Sequence, residues 1–460
     1  MNRARSGLIC LTLTLLTWLP VAQAQTPGGA GWQAGTARAC ITPKQPMWLA
    51  GYGGRDRPSQ GTLHDIWIKT LALEDADGRR VVLLTSDLCG IPKGMYDRVC
   101  DTVQRKHGLD RSQLRLTYSH NHCAPVVKGD LDDYYPLDET QQKLVDDYAV
   151  WLEQEMLRII GESLAGLQPA KVSAGTGVCT FAVNRRNNRE ADVPGLLAKG
   201  EMLAGPVDHS VPVLAVHGAD GKLLTVVFAY ACHNTTLSFY EWCGDYAGFA
   251  QLAIEKAHPG ATAMFVTGCG GDQNPLPRRT VELCEQYGQQ LAKATEDVLK
   301  TPMRRLMPQL RTAYEAVSLN FEKNPTRAEL EQYAASGTAI RMRWAQRFLK
   351  QLDAGQPLAQ SAPLVVQAWR LGDQDWISLG GETLVDYAHR FRDEYGSETW
   401  VTSYSADLLA YIPSKRNLME GLYEGTNLYE YKHPADRWAL DSEERIAAAV
   451  ARLMKVTREP

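Results

Sequence analysis

Leu-Arg-Leu-Thr-Tyr-Ser-His-Asn-His-Cys-Ala-Pro, residues 114–125, joins an apolar run to a closely spaced pair of histidines. The apolar residues at positions 114, 116 and 118 alternate with more polar ones, which is the period of a β-strand. Because residues two apart in a strand share a face, we expect the imidazoles of His120 and His122 to leave the strand end on one side. Two nitrogen donors directed into one space suit a divalent metal such as zinc. A surface or capping pair of histidines would have the same spacing, so other residues must decide.

Further apolar runs and helical periods extend this pattern along the chain. The predicted strands cover 66–73, 81–84, 114–118, 211–216, 223–230 and 263–266. The predicted helices cover 140–164, 246–257, 281–299, 327–352 and 442–454. Strands alternate with helices, which predicts an α/β protein. Because some strands follow one another directly, we expect mixed β-sheets flanked by helices rather than one parallel sheet.

The first residues have the layout of a cleavable secretory signal. Arg3 and Arg5 precede an apolar stretch that ends in Ala22-Gln23-Ala24, as in signals that are removed during export. We therefore predict that residues 1–24 are a signal peptide and that the mature protein is periplasmic or secreted. No later stretch is apolar for long enough to predict a transmembrane segment.

Composition excludes some functions. The net charge of −4 and the 22% of charged residues indicate an ordinary soluble surface, and no basic stripe predicts nucleic-acid binding. Of the ten cysteines, one lies in the predicted signal, so an odd number remains and at least one thiol is unpaired. Cys232 and Cys243 flank a histidine and could be bridged. The sequence does not determine the oligomeric state.

Five later segments carry polar groups that could join the histidine pair. His233 follows a buried-strand pattern, and it could enter a cleft or be a hydrogen-bonded core residue. Residues 267–275, Thr-Gly-Cys-Gly-Gly-Asp-Gln-Asn-Pro, could form a substrate loop or only a tight turn. Glu382 could be a metal ligand at a strand end or a carboxylate favoured by a helix N-terminus. Tyr411 and Tyr423 would pass for packing residues if each were considered alone.

The order of these motifs resembles the catalytic domain of the neutral, non-lysosomal ceramidase family. Thr117 to Pro125 is similar to that family's Ser-His-Thr-His-Ser-Gly-Pro segment, and Gly271 to Pro275 is similar to its Gly-Asp-Val-Ser-Pro loop. The remaining matches are Asn184-Arg185 with its Asn-Arg motif, Cys232 to Thr235 with its His-Pro-Thr motif, Gly381-Glu382 with its Pro-Gly-Glu, and the spacing of Tyr411 and Tyr423. The resemblance runs from about residue 33 to the C-terminus, and it implies a single catalytic domain over residues 25–460 without the family's C-terminal immunoglobulin-like domain.

The resemblance also implies a site and an activity. It implies one Zn²⁺ held by His120, His233, Glu382 and Tyr411. It places three more residues around the reacting carbonyl of the substrate: His122, Arg185 and Tyr423. Two neutral imidazoles and one carboxylate leave zinc with a net positive charge and room for a water molecule. The implied reaction is hydrolysis of an N-acyl amide bond, in ceramide or a related N-acyl compound, through zinc-activated water, with His122 or Tyr423 as the acid.

One departure from the family pattern affects the chemistry. Asn274 stands where the family has a serine to which a catalytic part has been assigned. An asparagine cannot act as a serine nucleophile, but its amide can donate a hydrogen bond to an oxyanion. We therefore include Asn274 among the predicted catalytic residues, as a hydrogen-bond donor.

Three other interpretations stay open at this point. A metal-dependent barrel amidohydrolase also uses a His-x-His pair on a strand, but it should have eight regular strand-helix units with the pair on the first strand. A zinc-dependent esterase or lactonase could use the same scaffold as an amidase. A catalytically silent metal-binding protein would explain the replacement at Asn274.

Overall fold

The computed structural model describes residues 31–459, and a large mixed β-sheet organises them. The strands are β1 Trp32–Cys40, β2 Gly61–Thr62, β3 Trp67–Glu74, β4 Arg80–Ser86, β5 Leu114–Tyr118, β6 Gln168–Val178, β7 Ala182–Asn184, β8 Ser210–Gly218, β9 Leu223–Tyr230, β10 Glu241–Trp242, β11 Thr262–Thr267, β12 Gln273–Pro275, β13 Arg304–Arg305, β14 Leu310–Asn320, β15 Ser361–Leu371, β16 Gln374–Gly380, β17 Glu382–Thr383, β18 Trp400–Ser405 and β19 Tyr411–Ile412. The helices are α1 Lys93–His107, α2 Glu139–Ala165, α3 Val193–Ala198, α4 Asp245–Ala257, α5 Val281–Leu299, α6 Arg327–Ser336, α7 Ala339–Asp353, α8 Asp386–Tyr395, α9 Lys415–Glu420 and α10 Ser442–Arg458. Two short 3₁₀ helices cover Tyr423–Gly425 and Leu428–Tyr431.

The main sheet has 13 strands and both kinds of pairing. Its order is β11-β9-β8-β6-β1-β3-β4-β5-β18-β16-β15-β14, with β13 paired to β6. The pairs β11 with β9, β4 with β5, and β16 with β18 are parallel, and the other pairs of this sheet are antiparallel. The predicted α/β class with mixed sheets is therefore confirmed. The sheet that residues 31–459 form is not a closed ring of parallel strands, so the barrel amidohydrolase interpretation is wrong.

Helices cover the apolar faces of the sheet. α2 lies against β1 and β3, α10 lies against β14 and β15, and α4 and α5 pack on each other beside β8 and β11. The buried residues of α2 recur every three or four positions, as Val145, Leu152, Met156 and Ile159 illustrate, so one helix face is apolar. The sequence periods that predicted these helices therefore mark the faces that pack on the sheet.

One predicted helix is two helices in the structure. Residues 327–352 were predicted as one helix, but α6 ends at Ser336 and α7 begins at Ala339. Gly337 follows the end of α6, and the side chain of Thr338 accepts a hydrogen bond from the amide of Arg341 at the start of α7. A glycine after one helix and a threonine cap before the next divide the chain where apolar periodicity alone continues.

The loops that follow β5, β9, β11 and β16 meet at one place. The amide of Gly271, after β11, donates to the carbonyl oxygen of Thr383, after β16, at 3.0 Å. The side-chain amide of Asn234, after β9, donates to the carbonyl oxygen of Ser119, after β5, at 2.6 Å. These contacts between loops bring together the polar segments that the sequence placed after apolar runs.

The described residues have neither a membrane-spanning helix nor a disulfide bond. Within residues 31–459, no helix combines the length and the apolarity needed to cross a bilayer. The nine cysteines of this part of the chain are free, and both Cys232 and Cys243 are buried without a disulfide between them. The possible bridge between these two cysteines is therefore wrong. The predicted signal peptide lies outside the described residues, so it stays a prediction. The predicted domain bounds, residues 25–460, also stay a prediction.

A buried ion pair joins α8 to the segment before β8. Arg392 donates to a carboxylate oxygen of Asp208 at 2.8 Å, and the Asp208 side chain is 5% exposed. Burial would raise the pKa of this carboxyl, but Arg392 and hydrogen bonds from Ser210 hold the pKa below its usual range. The charged carboxylate is therefore favoured by folding.

Replacing Arg392 by Met is expected to lower the free energy of unfolding at pH 7 by about 3 kcal/mol, because it leaves the Asp208 charge buried without its partner. The pKa of Asp208 is lower in the folded state, so the pair stabilises the protein above the unfolded pKa of about 4, and this contribution disappears as the pH falls through the folded pKa. Urea unfolding at several pH values measures this. An equal difference between the two proteins at pH 7 and below pH 3 would contradict the assignment.

Candidate metal centre

Three buried ligand atoms meet where the loops converge. Nε2 of His120 lies 3.1 Å from Oε2 of Glu382, and Nε2 of His233 lies 3.2 Å from the same oxygen. The three residues are almost fully buried, and their ligand atoms form a compact group that could hold a metal ion. The hydroxyl group of Tyr411 lies 3.1 Å from Nε2 of His233. The structure thus brings the four predicted metal ligands together.

The hydrogen bonds of the two imidazoles fix which nitrogen faces the centre. Nδ1 of His120 lies 2.8 Å from the carbonyl oxygen of Cys89, and Nδ1 of His233 lies 2.8 Å from that of Gly270. A carbonyl oxygen can only accept, so each Nδ1 carries a proton, and each imidazole in its neutral form presents the lone pair of Nε2 to the centre. Backbone carbonyls commonly orient metal-binding histidines in this way.

The donor set fits a divalent cation. Among residues 31–459, Oε2 of Glu382 is buried and has no hydrogen-bond partner. Two nitrogen lone pairs and this carboxylate oxygen therefore face one another, which is unfavourable unless a positive charge lies between them. Two histidines and a carboxylate are ligands that zinc accepts.

Electrostatics keeps these groups in the protonation states that a metal needs. Burial, and secondarily Arg185, lowers the pKa of His233 to about 4, so its imidazole is neutral at pH 7. Burial alone would raise the pKa of Glu382, but the charge and hydrogen bonds of protonated His120 and His233 hold the pKa well below its usual range. A cation between the neutral imidazoles would act on the carboxylate in the same direction. Burial raises the pKa of Tyr411 well above its ordinary value. The centre therefore offers a metal two kinds of ligand: neutral groups and one singly negative carboxylate.

The histidine pair converges for a different reason from the one that the strand pattern suggested. β5 ends at Tyr118, before the pair, and His120 has a φ of 57° in the left-handed region. The centroids of the His120 and His122 rings are 4.7 Å apart. Strand alternation therefore does not place the two imidazoles. A strained turn does so, and such strain is often found at functional sites.

His122 is next to the ligand group and is oriented as a donor. Its Nε2 lies 3.1 Å from Nε2 of His120, which presents a lone pair, so the proton between the two nitrogens belongs to His122. The ring of Tyr52 packs edge-on against His122 at 4.5 Å. Gly51 has a φ of +89°, and a Cβ there would lie 2.2 Å from Cγ of His122. A glycine is thus required behind this imidazole.

Arg185 connects the ligand group to the other predicted catalytic residues. Its Nη2 donates to the hydroxyl group of Tyr411 at 2.9 Å, and its Nη1 donates to Oδ1 of Asn274 at 3.3 Å. Its Nε donates to Glu424 at 2.8 Å. Because Oδ1 of Asn274 is the acceptor, the amide nitrogen of that side chain is the end available as a donor.

Tyr423 lies at the outer edge of the group. Its ring centroid is 5.6 Å from that of Tyr411, and Tyr423 is 48% exposed. Its hydroxyl group donates to Glu430 at 2.8 Å, and Glu430 also accepts from Tyr134 and Tyr429. The phenol proton of Tyr423 is therefore directed at a carboxylate.

Three functional neighbours were not found from the sequence. Tyr431 donates to Oε1 of Glu382 at 2.5 Å, which orients the carboxylate. Glu424 pairs with Arg185, and Glu430 fixes Tyr423. Only Glu424 has a signal in the sequence, because it follows Tyr423 in the same short segment.

An open cavity of about 460 Å³ lies beside Arg185, the residue that donates to the hydroxyl group of Tyr411. Arg185, Asn274 and Tyr423 line it together with Leu276 and Leu422. The space is large enough for a small substrate. Of the catalytic groups proposed from the sequence, Arg185, Asn274 and Tyr423 line it, whereas His122 does not.

Fold and site together define an α/β protein with a buried His-His-Glu group. The chain is similar in structure to the neutral ceramidase from Pseudomonas aeruginosa, with a TM-score of 0.68 and 18% identity over 94% of this chain and 76% of that one. It is also similar to a ceramidase complexed with C2, with a TM-score of 0.69 and 16% identity over 94% of this chain and 77% of that one. No family model and no curated protein matches the chain. The predicted ceramidase-like fold is confirmed.

Proposed function

We propose that this chain is a zinc-dependent hydrolase that cleaves the amide bond of an N-acyl compound. One observation carries the proposal: two imidazole nitrogens and the unpartnered Oε2 of Glu382 converge within one residue of a cavity that Arg185 lines. The similarity in fold to ceramidases agrees with it. We further propose export to the periplasm or the exterior, which rests on the signal-like residues 1–24.

His120, His233, Glu382 and Tyr411 would hold a divalent ion, which would supply the positive charge that polarises a carbonyl group and lowers the pKa of water. The hydrogen bond from Arg185 to Tyr411 keeps the phenol in position beside His233. The bond from Tyr431 holds Glu382 in one orientation. These contacts set the direction of the ligand atoms before substrate enters, which is what preorganisation requires.

Three donors surround the place where a substrate carbonyl would enter. They are the Nε2–H group of His122, the guanidinium group of Arg185 and the amide nitrogen of Asn274. Charge that develops on the carbonyl oxygen during attack is stabilised by such fixed donors. The leaving nitrogen needs a proton, and His122 is the candidate that we favour. Metal binding at Nε2 of His120 would free the Nε2–H group of His122 from that nitrogen, whereas the hydroxyl proton of Tyr423 stays directed at Glu430.

The proposal is tested by activity screening of the zinc-loaded mature protein. The panel contains ceramides of several chain lengths, other N-acyl amides and the matching esters. We expect at least one N-acyl amide to be hydrolysed, with activity that a chelator removes and zinc restores. Preference for esters over matched amides would favour the esterase interpretation. Bound zinc without turnover of any acyl compound would favour the silent binding protein.

Replacing Asn274 by Ala is expected to lower kcat by about 10²-fold without abolishing it, because one oxyanion donor is lost while the ligand group stays intact. The measurement is kcat on the best substrate of the panel, with zinc content and circular dichroism as checks. Asn324→Ala, in the loop before α6, is a control with the same change of side chain far from the cavity, and it should leave kcat unchanged. Complete inactivity of Asn274→Ala with metal and fold intact would instead give Asn274 an essential role.

A further inference from the structure

The cavity beside Arg185 is strongly basic. Four arginines line it, Arg185, Arg186, Arg189 and Arg278, against two carboxylates, Glu190 and Glu424. The lining therefore has a formal charge of +2, although the whole chain has a net charge of −4. A concave surface of one sign raises the local concentration of ligands of the opposite sign.

Two of these arginines are already held by carboxylates. Arg186 is almost fully buried between Glu420 and Glu424, and Arg185 also donates to Glu424. Their charges are largely compensated inside the protein, so they do not account for an attraction at the surface of the cavity.

The outer arginines have excess charge. Arg278 and Arg279 share the single carboxylate of Glu190, at 2.7 Å and 3.4 Å. The Arg189 side chain is 85% exposed, and its only carboxylate neighbour within 4 Å in the described chain is Asp192, at 3.9 Å. Arg278 is already engaged, because it donates twice to Glu190 and also to Thr235. Arg189 and Arg279 are therefore the guanidinium groups available to a ligand, and their planar fork matches a carboxylate.

Arg279 has a strained backbone conformation. Its φ is 99°, in a region that favours glycine. Its guanidinium carbon lies 6.0 Å from the centroid of the Tyr52 ring, which contacts His122. An arginine kept at a strained position, close to the proposed catalytic group, indicates a use for its side chain.

Apolar residues lie beside the arginines. Leu276, Leu422 and Tyr423 line the same cavity, and Leu422 and Met419 are 56% and 72% exposed. An amphiphile with an acyl chain and an anionic group would contact both kinds of surface. An uncharged N-acyl amine would form no ion pair with Arg189 or Arg279.

We infer that the substrate is an N-acyl amino acid or a similar N-acyl carboxylate, whose carboxylate binds Arg189 and Arg279. This inference rests on the proposed amide hydrolysis. In the reaction the amide C–N bond breaks, the oxygen of water joins the acyl carbon as a hydroxyl group, and the other proton of water goes to nitrogen. The products are a fatty acid and an amino acid, and no further reactant is needed.

The test compares N-dodecanoylglycine with N-dodecanoylethanolamine, which share an acyl chain and differ in the carboxylate. We expect kcat/KM to be about tenfold higher for the glycine compound at low salt, with the preference falling as KCl is added. In the double variant Arg189→Gln/Arg279→Gly the ratio of the two kcat/KM values should fall about tenfold. Arg445→Gln, on α10, is the matched control and should keep the ratio of the unmodified protein.

Stability separates this role from a structural one. Glycine relieves the backbone strain at position 279, so Arg279→Gly should not lower the melting temperature while it reduces the ratio. An unchanged ratio in a folded double variant would overturn the inference.

The outcomes also separate this inference from the proposed function. Equal or faster hydrolysis of the ethanolamine compound overturns the anionic substrate and leaves amide hydrolysis standing. If neither compound is hydrolysed, amide hydrolysis of such substrates fails. Calorimetry on the chelator-treated protein then decides the anion site: a Kd about tenfold lower for the glycine compound supports it, and equal Kd values overturn it.

Discussion

Glu382→Gln is expected to abolish stoichiometric zinc binding and to reduce hydrolysis to background. The substitution keeps the size of the side chain and leaves an oxygen for Tyr431, but it removes the negative charge at Oε2, where His120 and His233 converge. Loss of an outer partner of a ligand already costs 10–100-fold in metal affinity, so loss of the only carboxylate ligand should cost more than about 100-fold. Elemental analysis after dialysis measures the zinc, and circular dichroism measures the fold. His233→Ala should have the same effect.

Glu430→Gln is the matched control for Glu382→Gln. Glu430 is also a largely buried glutamate that accepts hydrogen bonds from tyrosines, but it is not in the ligand group. The variant should keep one zinc ion and lower only the rate, because Tyr423 loses a charged partner. Full zinc in both Glu382→Gln and His233→Ala would contradict the assigned centre.

The fold could be predicted where local periodicity and tertiary packing agree. The strands at 114–118 and 223–230 and the helix at 281–299 have the predicted bounds. Their apolar residues recur with the period of the element, and these same faces are buried. The prediction missed α1 and the long strands β6, β14 and β15. β6 and β14 alternate between buried and exposed residues and contain polar or small residues, so neither is an apolar run.

The candidate site could be predicted only in part. The sequence pointed to the ligand atoms because His120, His233 and Glu382 each follow an apolar run. It could not give the contact of Tyr431 with Glu382, since those residues are 49 positions apart and their approach depends on how β17 and the second 3₁₀ helix pack. It also gave the wrong reason for the convergence of the histidine pair, because a left-handed φ at a histidine has no signature in strand periodicity.

In contrast to Glu382, His122 is expected not to be needed for zinc binding. His122→Gln should keep one zinc ion and lower kcat by about 10²–10⁴-fold, the range for loss of a general acid or base. The reason lies in the proton positions: His120 presents a lone pair at Nε2, whereas His122 has the proton at Nε2 and contributes a donor. Glutamine can still donate a hydrogen bond, but it cannot transfer a proton to the leaving nitrogen. Single-turnover rates together with zinc content measure both properties.

His120→Gln is the matched partner of this experiment, since it makes the same change two residues earlier in the same turn. It should lose zinc, and His122→Gln should not. A second group, Cys89 with His120 and His122, is also close enough to hold a metal. In that group Sγ of Cys89 lies 3.9 Å from Nδ1 of His120, the nitrogen whose proton goes to a backbone carbonyl, so this nitrogen has no lone pair to offer a metal. Loss of zinc in both His122→Gln and Cys89→Ser, with full zinc in Glu382→Gln, would place the metal in this second group and remove His122 from its role as the acid.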